Sequence, residues 1–367
     1  MSDDARTLLV SGGAGFIGSA LVRHLVRHTP HTVVNVDCLT YAGNPASLAE
    51  VNDAPRYRFE QVDIRDGAGI RRIFREYAPD AVIHLAAESH VDRSIDGPAA
   101  FLETNVLGTF TLLEAALEAH RVKSAAQRRS FRFLHVSTDE VYGSAAPGTS
   151  FTENSRYAPN SPYAASKAAA DHLVRAWGVT YDLPVLITNC SNNYGPCQFP
   201  EKLVPHMTLS ALEGRPLEVY GDGRQVRDWL HVEDHVRALL TVLDRAAPGS
   251  YYNIGGGAER QNIDVVNAIC DILDRVRPRP DGKSYRTQIR LSADRPGHDR
   301  RYAIDAALLA RDLAWAPQVS FDDGLRSTVQ WYLDNEHWWR PLRERVYQGE
   351  RLGRGVDRPV TRAREDG

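Results

Sequence analysis

The stretch Leu8-Leu9-Val10-Ser11-Gly12-Gly13-Ala14-Gly15-Phe16-Ile17-Gly18 decides the fold of this chain. An apolar run comes directly before glycines 12, 15 and 18, and an apolar helical pattern follows them. Glycine permits a tight turn and lets backbone N–H groups approach a pyrophosphate, to which the helix N-terminus adds its partial positive charge. A plain turn is the competing interpretation. The strand before and the helix after favour the phosphate-binding turn of a dinucleotide site.

The first half of the chain repeats this strand-then-helix rhythm. Short β-branched runs predict strands at residues 7–10, 32–36, 57–60, 81–85, 131–137 and 184–189. Apolar residues at three- and four-residue spacing predict helices at about 16–28, 67–77, 99–120 and 162–181. The alternation predicts an α/β fold with a Rossmann-like, doubly wound parallel sheet.

The second half breaks the rhythm. It predicts a helix near 202–213, a strand at 217–220 and helices near 232–245 and 322–335, with proline and glycine between them. We interpret it as a smaller substrate-binding α/β domain over the carboxyl ends of the sheet, where open α/β sheets bind ligands. The predicted division is a nucleotide-binding domain at 1–188, a mainly substrate-binding domain at 189–347 that interleaves with the first, and a charged, mobile tail at 348–367.

The composition excludes several classes of partner. The chain has 367 residues, 43% hydrophobic and 25% charged, with a formal net charge of −3, which is typical of a soluble globular protein. It gives no electrostatic reason to expect a nucleic acid or an anionic membrane. There is neither an N-terminal secretion signal nor an apolar run of membrane-spanning length, so a cytoplasmic protein is expected.

The four cysteines predict no metal site and no chemistry. Cys38, Cys190, Cys197 and Cys270 lie scattered, without a CxxC pair or a histidine at metal-ligand spacing. Cys190 and Cys197 are near enough in sequence to suggest a disulfide or a reactive thiol. Small buried or half-buried residues in a reducing compartment are the interpretation we prefer.

Two acidic residues refine the cofactor prediction. Asp37 ends the second predicted strand, 19 residues after Gly18, where a carboxylate accepts hydrogen bonds from a ribose diol and repels a 2′-phosphate. This favours NAD over NADP, although an ordinary strand-end turn is the alternative. Asp63 and Ile64 follow the third strand and are placed to contact adenine, but Asp63 would equally suit a helix N-cap.

Tyr163 and Lys167 form the first part of a catalytic pattern. In the run SPYAASK, Ser161 suits the N-cap and Pro162 the first turn of a helix, so Tyr163 and Lys167 share one face a turn apart. A neighbouring ammonium stabilises a phenolate, and we expect it to bring the pKa of Tyr163 toward neutrality for general-base work. Lys167 would also hold the nicotinamide ribose. A chance surface pair is the alternative.

The second part of the pattern is Thr138-Asp139-Glu140, at the end of the fifth predicted strand. The Thr138 hydroxyl can share the proton of a sugar hydroxyl with Tyr163. Two adjacent carboxylates at the mouth of an apolar strand repel each other and lose hydration, a cost that suggests use as an acid and a base. Both can act only if the backbone turns there, because neighbours on a regular strand face opposite ways. A solvated acidic turn is the alternative.

These motifs resemble the extended short-chain dehydrogenase/reductases and, within them, the dTDP-glucose 4,6-dehydratases. The resemblance covers about residues 7–340 and includes VVNVDCLTYAGN, HLAAESHVDRSI, STDEVYGS, NCSNNYGP and ADRPGHDRRYAID. It implies an NAD-dependent lyase that oxidises C4 of the sugar, removes water across C5 and C6 and returns hydride to C6. NAD would stay bound throughout. The resemblance also implies a homodimer through a four-helix contact of the helices near 99–120 and 162–181.

The resemblance assigns roles by motif. Tyr163 would be the base for the 4-hydroxyl, Asp139 the acid for the C6 hydroxyl and Glu140 the base at C5, with Lys167 and Thr138 supporting the oxidation. Besides the glycines, the NAD site would be lined by Phe16, Ile17, Asp37, Leu39, Thr40, Asp63, Ile64, Leu85, Ala86, Ala87, Thr104, Tyr163, Lys167 and Asn193. The sugar-nucleotide site would be lined by Ser89, Thr138, Asn192, Lys202, Leu203, Pro205, Tyr220, Arg227, Asn262, Asp294, Arg295 and His298, with Arg227 as the diphosphate clamp.

Three other functions stay open at this point. The substrate could be another sugar nucleotide such as UDP-glucose, because the sequence does not reveal the contacts to the base. A sugar-nucleotide 4-epimerase or decarboxylase needs only the oxidation at C4, but such relatives generally lack the Asp-Glu pair. A non-catalytic NAD-binding protein should have lost Tyr163, Lys167 or Thr138, and all three are intact.

Overall fold

A computed structural model describes residues 5–353 and contains a seven-stranded parallel sheet in the order β3-β2-β1-β4-β5-β6-β10. The predicted Rossmann-like α/β fold is confirmed. Its strands are β1 (Thr7–Ser11), β2 (Thr32–Val36), β3 (Tyr57–Glu60), β4 (Ala81–His84), β5 (Arg132–Thr138), β6 (Val185–Cys190) and β10 (Tyr251–Ile254). Two smaller sheets have the orders β11-β9-β7 and β12-β8, from β7 (Asn192–Tyr194), β8 (Leu217–Tyr220), β9 (Val226–His231), β11 (Glu259–Gln261) and β12 (Ile289–Ser292).

The helices flank the large sheet and build the second half. Those of the first half are α1 (Phe16–His28), α2 (Gly67–Tyr77), α3 (Val91–Asp96), α4 (Pro98–Phe101), α5 (Thr109–Val122), α6 (Ala125–Ser130) and α7 (Pro162–Tyr181). The second half has α8 (Leu203–Leu212), α9 (Val232–Arg245), α10 (Asn262–Val276), α11 (Ala307–Leu313), α12 (Phe321–Asp334) and α13 (Glu336–Arg345). Short 3₁₀ turns lie at Pro45–Leu48, Asp139–Tyr142 and Tyr285–Gln288.

The sheet is covered on both faces, as its unbroken apolar strands require. Side chains alternate along β1, so that Leu8 and Val10 join one core cluster and Leu9 joins another. The first cluster contains apolar side chains of α1 and α9, and the second contains those of α2, α5 and α7. Because all seven strands are parallel, their carboxyl ends lie at the same edge of the sheet.

Capping fixes where the helices of this edge begin. The Ser161 hydroxyl accepts a hydrogen bond from the Ala164 N–H, and Pro162 occupies the first turn, where its missing N–H costs nothing. The Asp66 carboxylate accepts from the N–H groups of Ala68 and Gly69. Both helices begin within a residue of the positions that the sequence predicts.

The helix predicted at 99–120 is not a regular α-helix. It consists of α4, a π-helical segment Leu102–Gly108, and α5. A Cβ at Gly108 would lie 2.5 Å from Cδ1 of Ile64, so this position packs tightly against the loop after β3. Hydrophobic spacing cannot separate α from π turns, because it reports which face is apolar and not the hydrogen-bond register.

The second half contributes to the first domain. Strand β10 pairs with β6 in the large sheet, and α9 lies in the core cluster that contains α1. A third cluster, with Val204, Trp229, Ile269 and Leu325, forms a separate core in the second half. The domain limits 1–188 and 189–347 stay predictions, with β10 and α9 as the interleaving elements.

Residues 348–352 lie against the second half, and the N–H of Gly353 donates to the Asp96 carboxylate on α3 at 2.9 Å. The Arg215 guanidinium hydrogen-bonds the carbonyl of Gln348, and the Arg351 guanidinium lies 5.0 Å from the ring centre of Tyr220. Most of the predicted mobile tail, residues 354–367, lies outside the described residues. Within residues 5–353 no helix is both long and apolar enough to cross a bilayer.

Candidate active site

The glycine turn is a cradle that larger residues would fill. Gly12 has φ +76°, and a Cβ there would lie 2.6 Å from the backbone nitrogen of Ala86. Gly15 occupies the N-cap of α1 and offers no side chain to its first N–H groups. These donors, and the positive end of the helix dipole, therefore stay open to an anionic group.

Next to this turn lies a cavity of about 360 Å³, within the range of ligand pockets. The predicted NAD-site residues that line it are Gly12, Gly15, Phe16, Ile17, Gly18, Asp37, Thr40, Asp63, Ile64, Leu85, Ala86, Ala87, Thr104, Tyr163, Lys167 and Asn193. Leu39 does not line it, because φ +57° directs this residue onto the core cluster that contains α1. A glycine cradle, an acidic strand end and an apolar wall fit NAD.

Asp37 lies where the ribose prediction needs it. Its carboxylate accepts hydrogen bonds from the N–H groups of Ala14 at 2.9 Å and Leu39 at 2.8 Å. Burial raises its pKa, and the two backbone hydrogen bonds oppose that shift. These contacts tie the acidic side chain to the glycine turn.

A second cavity, of about 520 Å³, lies over the second half of the chain. Ser89, Glu140, Asn192, Glu201 and Lys202 line both cavities, so the two meet at Glu140. Of the residues predicted for the sugar nucleotide, Ser89, Asn192, Lys202, Leu203, Tyr220, Arg227, Asn262, Arg295 and His298 line the second cavity. The Oδ1 atoms of Asn192 and Asn262 are buried without a hydrogen-bond partner in the described chain, as expected of groups that await a ligand.

Three predicted contacts differ. Thr138 lines the first cavity and not the second. Neither cavity is lined by Pro205, which is buried in α8, or by Asp294. The Asp294 carboxylate instead contacts Nδ1 of His298 at 2.6 Å and accepts from the Gln225 amide at 3.1 Å. Asp294 thus holds a residue that lines the cavity.

The backbone turns at the acidic pair. Strand β5 ends at Thr138, and the 3₁₀ turn Asp139–Tyr142 begins at once, with the Thr138 hydroxyl accepting from the Glu140 N–H at 3.3 Å. Asp139 is 2% exposed, and its Oδ2 has no partner in the described chain. The turn removes the alternation of a strand. Glu140 lines both cavities, whereas Asp139 lines neither and lies buried directly beside it.

Their surroundings separate the two carboxyl groups. Burial, and then the charge of Glu140, raise the pKa of Asp139 well above its ordinary value. Burial also raises the pKa of Glu140, but the cations Arg295, Arg227 and Lys202 oppose that shift. Burial therefore favours the protonated form of Asp139, while nearby cations favour the carboxylate form of Glu140, the division that acid and base roles require.

Tyr163 and Lys167 lie one turn apart on α7, and both are buried. Burial, and then the charge of Glu140, raise the pKa of Tyr163, which is the opposite of the predicted direction. The Lys167 ammonium donates instead to the carbonyl of Val136 at 3.0 Å. The sequence shows the spacing of this pair, but not how deeply it is buried.

The cations of the second cavity are held by their neighbours. The Arg227 guanidinium lies 4.1 Å from the ring centre of Tyr302 and donates to the carbonyls of Val226 and Asp299. Arg295 pairs with Asp92 at 2.9 Å. Planar guanidinium groups fixed in this way match the oxygens of a diphosphate.

Sequence reasoning missed several residues that line or support the second cavity. The Asp92 carboxylate accepts from the Tyr220 hydroxyl at 3.1 Å, and the Tyr302 hydroxyl donates to Glu140 at 3.4 Å. Tyr347, Gly349, Glu350, Arg351 and Leu352 also line this cavity. Asp92 and Tyr302 lie inside the motifs HVDRSI and ADRPGHDRRYAID, which could have indicated them. Residues 349–352 belong to a segment with few apolar residues, which we therefore predicted to be a mobile tail.

Within residues 5–353, no cluster of histidine, cysteine and acidic side chains is arranged to hold a metal ion. All four cysteines are free thiols, and Cys190 and Cys270 are buried. The Cys190 thiol donates to the carbonyl of Ser137 at 3.4 Å. The preferred interpretation of the cysteines as small packing residues is confirmed, and a disulfide between Cys190 and Cys197 is not formed.

Comparison with known proteins supports the same family as the sequence motifs. The family model described as GDP-mannose 4,6 dehydratase matches residues 9–328. The dTDP-glucose 4,6-dehydratase of Neisseria meningitidis serogroup B is 59% identical over 354 residues, which cover 95% of this chain and 99% of the relative. The chain belongs to the dTDP-glucose 4,6-dehydratase family.

Solved structures of this family and of a related one superpose on the chain. The dTDP-glucose 4,6-dehydratase DesIV of Streptomyces venezuelae, solved with NAD bound, has a TM-score of 0.84 at 48% identity and covers 92% of this chain and 99% of its own. The UDP-glucose 4-epimerase of Thermus thermophilus, in complex with NAD, has a TM-score of 0.78 at 30% identity and covers 90% and 99%. Both sequence and fold are nearer to this dehydratase than to this epimerase.

Proposed function

We propose that this protein is an NAD-dependent hydro-lyase that converts dTDP-glucose into dTDP-4-keto-6-deoxyglucose. One observation carries the proposal. A buried acid, Asp139, and a cation-flanked carboxylate, Glu140, stand in one turn, and Glu140 lines both cavities. Elimination of water needs one such acid and one such base.

The chain's own residues would hold the cofactor. The turn from Gly12 to Gly18 would bind the pyrophosphate, Asp37 the adenosine ribose and Lys167 the nicotinamide ribose. When bound, NAD supplies the redox chemistry, taking a hydride from C4 of the sugar and returning it to C6. Similar proteins solved with NAD support this choice of cofactor.

At C4, Tyr163 would accept the proton of the hydroxyl group. The Thr138 hydroxyl lies beside it at the end of β5 and hydrogen-bonds the phenol. It can also hold the sugar hydroxyl during proton transfer. The positive charge of Lys167 favours the phenolate form of Tyr163. Oxidation of the carbinol to a ketone then acidifies the proton at C5.

At C5 and C6, the two carboxyl groups would act together. Glu140 removes the C5 proton, and Asp139 donates its proton to the departing C6 hydroxyl, so that water leaves and a C5–C6 double bond forms. After hydride addition at C6, Glu140 returns its proton to C5. Exchange with solvent then removes the proton of Tyr163 and restores that of Asp139, so that the sum of these steps is the loss of one water molecule from the sugar.

The alternatives have weaker support. A 4-epimerase needs neither the acid nor the base of the 139–140 turn. In such an enzyme the burial of the Asp139 carboxyl would lower stability without serving the reaction. UDP-glucose differs from dTDP-glucose at a nucleobase methyl group and a ribose hydroxyl. The high identity to dTDP-glucose 4,6-dehydratases supports the thymine nucleotide.

We also propose a cytoplasmic homodimer that forms through α7 and the helical region 98–122. Six large apolar side chains of these elements are exposed, at 42–86%: Leu102, Leu107, Phe110, Val122, Val179 and Tyr181. A second copy that covers them would form the predicted four-helix contact. Four free thiols fit a reducing compartment.

The test is incubation of the purified protein with dTDP-glucose and no added NAD, followed by the alkali-induced absorbance of a 4-keto-6-deoxy sugar. We expect product from the wild type and little from Glu140→Gln, which keeps the size of the side chain but not the base. UDP-glucose, assayed in parallel, tests the nucleotide. No product from dTDP-glucose, with or without added NAD, would overturn the proposal.

A further inference from the structure

A buried polar cluster lies behind the Tyr163/Lys167 pair, on the side of α7 that faces β5. Asp171 follows Lys167 by one helical turn and is 3% exposed. One carboxylate oxygen of Asp171 accepts from the hydroxyls of Ser137 at 2.9 Å and Tyr157 at 2.8 Å. The other lies 3.2 Å from Nε2 of His135. The dehydration mechanism does not use this carboxylate.

His135 joins Asp171 to Lys167. Its Nε2 is 3.5 Å from Nζ of Lys167, while its Nδ1 is buried without a partner in the described chain. Burial lowers the pKa of His135 well below its ordinary value, so the ring is neutral and carries one proton. The same ring nitrogen therefore lies between the ammonium and the carboxylate, 3.5 Å from Nζ of Lys167 and 3.2 Å from Oδ1 of Asp171.

Lys167 needs a partner of opposite charge. Burial lowers the pKa of Lys167, and Asp171 is the first of the groups that oppose this shift. Burial also raises the pKa of Asp171, to about 6, so the carboxylate is ionised above that pH. The other titratable groups that face this pair or its linking histidine are His84 on β4, Cys190 on β6, Tyr251 on β10, Tyr142 in the turn after β5, Tyr163 and His172 on α7, and Tyr157 before α7.

We propose that Asp171, the carboxylate that shares the Nε2 edge of His135 with Lys167, is a positioning residue that keeps Lys167 protonated beside Tyr163 and the nicotinamide ribose. This inference rests on the proposed function. A buried ammonium without a counter-charge would lose its proton near neutral pH. It would then neither favour the phenolate of Tyr163 nor make a charged hydrogen bond to the ribose.

The experiment compares Asp171→Asn with the wild type over pH 6 to 10. The first readout is the NAD dissociation constant of cofactor-stripped protein, measured by titration calorimetry, and the second is kcat. In the wild type, both NAD affinity and kcat fall as Lys167 loses its proton. We call this fall at high pH the alkaline limb. In Asp171→Asn we expect the alkaline limb to begin about one to two pH units lower, because the loss of a nearby opposite charge lowers the pKa of Lys167 by that much.

Two matched variants separate charge from packing. Tyr157→Phe removes a hydrogen bond from the same carboxylate but leaves its charge, so the alkaline limb should stay in place. Asp234→Asn neutralises another buried carboxylate, which pairs with Arg237 and accepts from the N–H groups of Gln318 and Val319. It should lower thermal stability without moving the limb.

An unmoved limb in folded Asp171→Asn, or an equal shift in Tyr157→Phe, would overturn the proposal. If Asp171→Asn does not fold, Asp171→Glu carries the test, since it keeps the charge and should keep the limb while lowering kcat. A shifted limb in Asp171→Glu would then refute the charge role. The NAD titration needs no sugar nucleotide, so failure of the proposed activity is distinguishable from failure of this inference.

Discussion

Asp139→Asn separates the acid role of Asp139 from its effect on stability. An amide has nearly the same shape, but it cannot protonate the departing C6 hydroxyl. Loss of a general acid lowers kcat by about 10² to 10⁴, equivalent to roughly 3 to 5 kcal/mol in the activation barrier. We expect kcat to fall by this amount.

Stability should change in the opposite direction. The Asp139 carboxyl is 2% exposed, has no ion pair and has a pKa raised mainly by burial. Because the folded pKa lies above the unfolded one, its contribution to stability is complete below about pH 4 and is lost as pH rises toward the folded pKa. The variant avoids this loss, so its Tm should exceed that of the wild type, by a margin that grows above about pH 4.

The assay follows kcat, Tm and the exchange of solvent deuterium into C5 of recovered substrate. Asp139→Asn should still exchange the C5 hydrogen, because Glu140 remains, whereas Glu140→Gln should not. A kcat within tenfold of the wild type would refute the acid role of Asp139. A lower Tm of Asp139→Asn at neutral pH would refute the argument that ionising Asp139 in the folded protein costs stability.

Three further predictions concern the cofactor, the substrate and the dimer. Asp37→Asn removes the charge that repels a 2′-phosphate, so the ratio of NADP to NAD affinity should rise at least about tenfold in competition titrations, and an unchanged ratio would contradict the ribose role. Arg227→Lys loses the planar fork, so the KM for dTDP-glucose should rise roughly 10- to 100-fold with a smaller change in kcat, as initial rates will show. Leu107→Glu places a charge on the exposed apolar surface and should give a monomer by light scattering, whereas an unchanged mass would argue against the four-helix contact.

The site was predictable where chemistry depends on short spacing. Each predicted group of site residues spans seven positions or fewer: Gly12 to Gly18, Thr138 to Glu140, and Tyr163 to Lys167. Local backbone geometry therefore places their members together whatever the rest of the chain does. Most of the residues that the resemblance named also line one of the two cavities.

What escaped prediction depends on contacts between distant parts of the chain. The pairing of Arg295 with Asp92 joins residues 203 positions apart, and no spacing rule indicates it. The same holds for residues 349–352, which line the second cavity although their polar composition placed them in the predicted mobile tail. Leu39 and Pro205 were carried over from a motif, but Leu39 packs on the core cluster that contains α1 and Pro205 is buried in α8, so neither lines a cavity.

The sequence by itself determined the α/β class, the glycine turn, the catalytic helix and the acidic pair, because periodicity, capping and turn chemistry act over a few residues. Only the tertiary structure decided that β10 completes the large sheet and that Glu140 lies where two cavities meet. It also decided the charges. Burial makes Asp139 an acid and raises the pKa of Tyr163, and desolvation depends on everything that surrounds a group rather than on its neighbours in the chain.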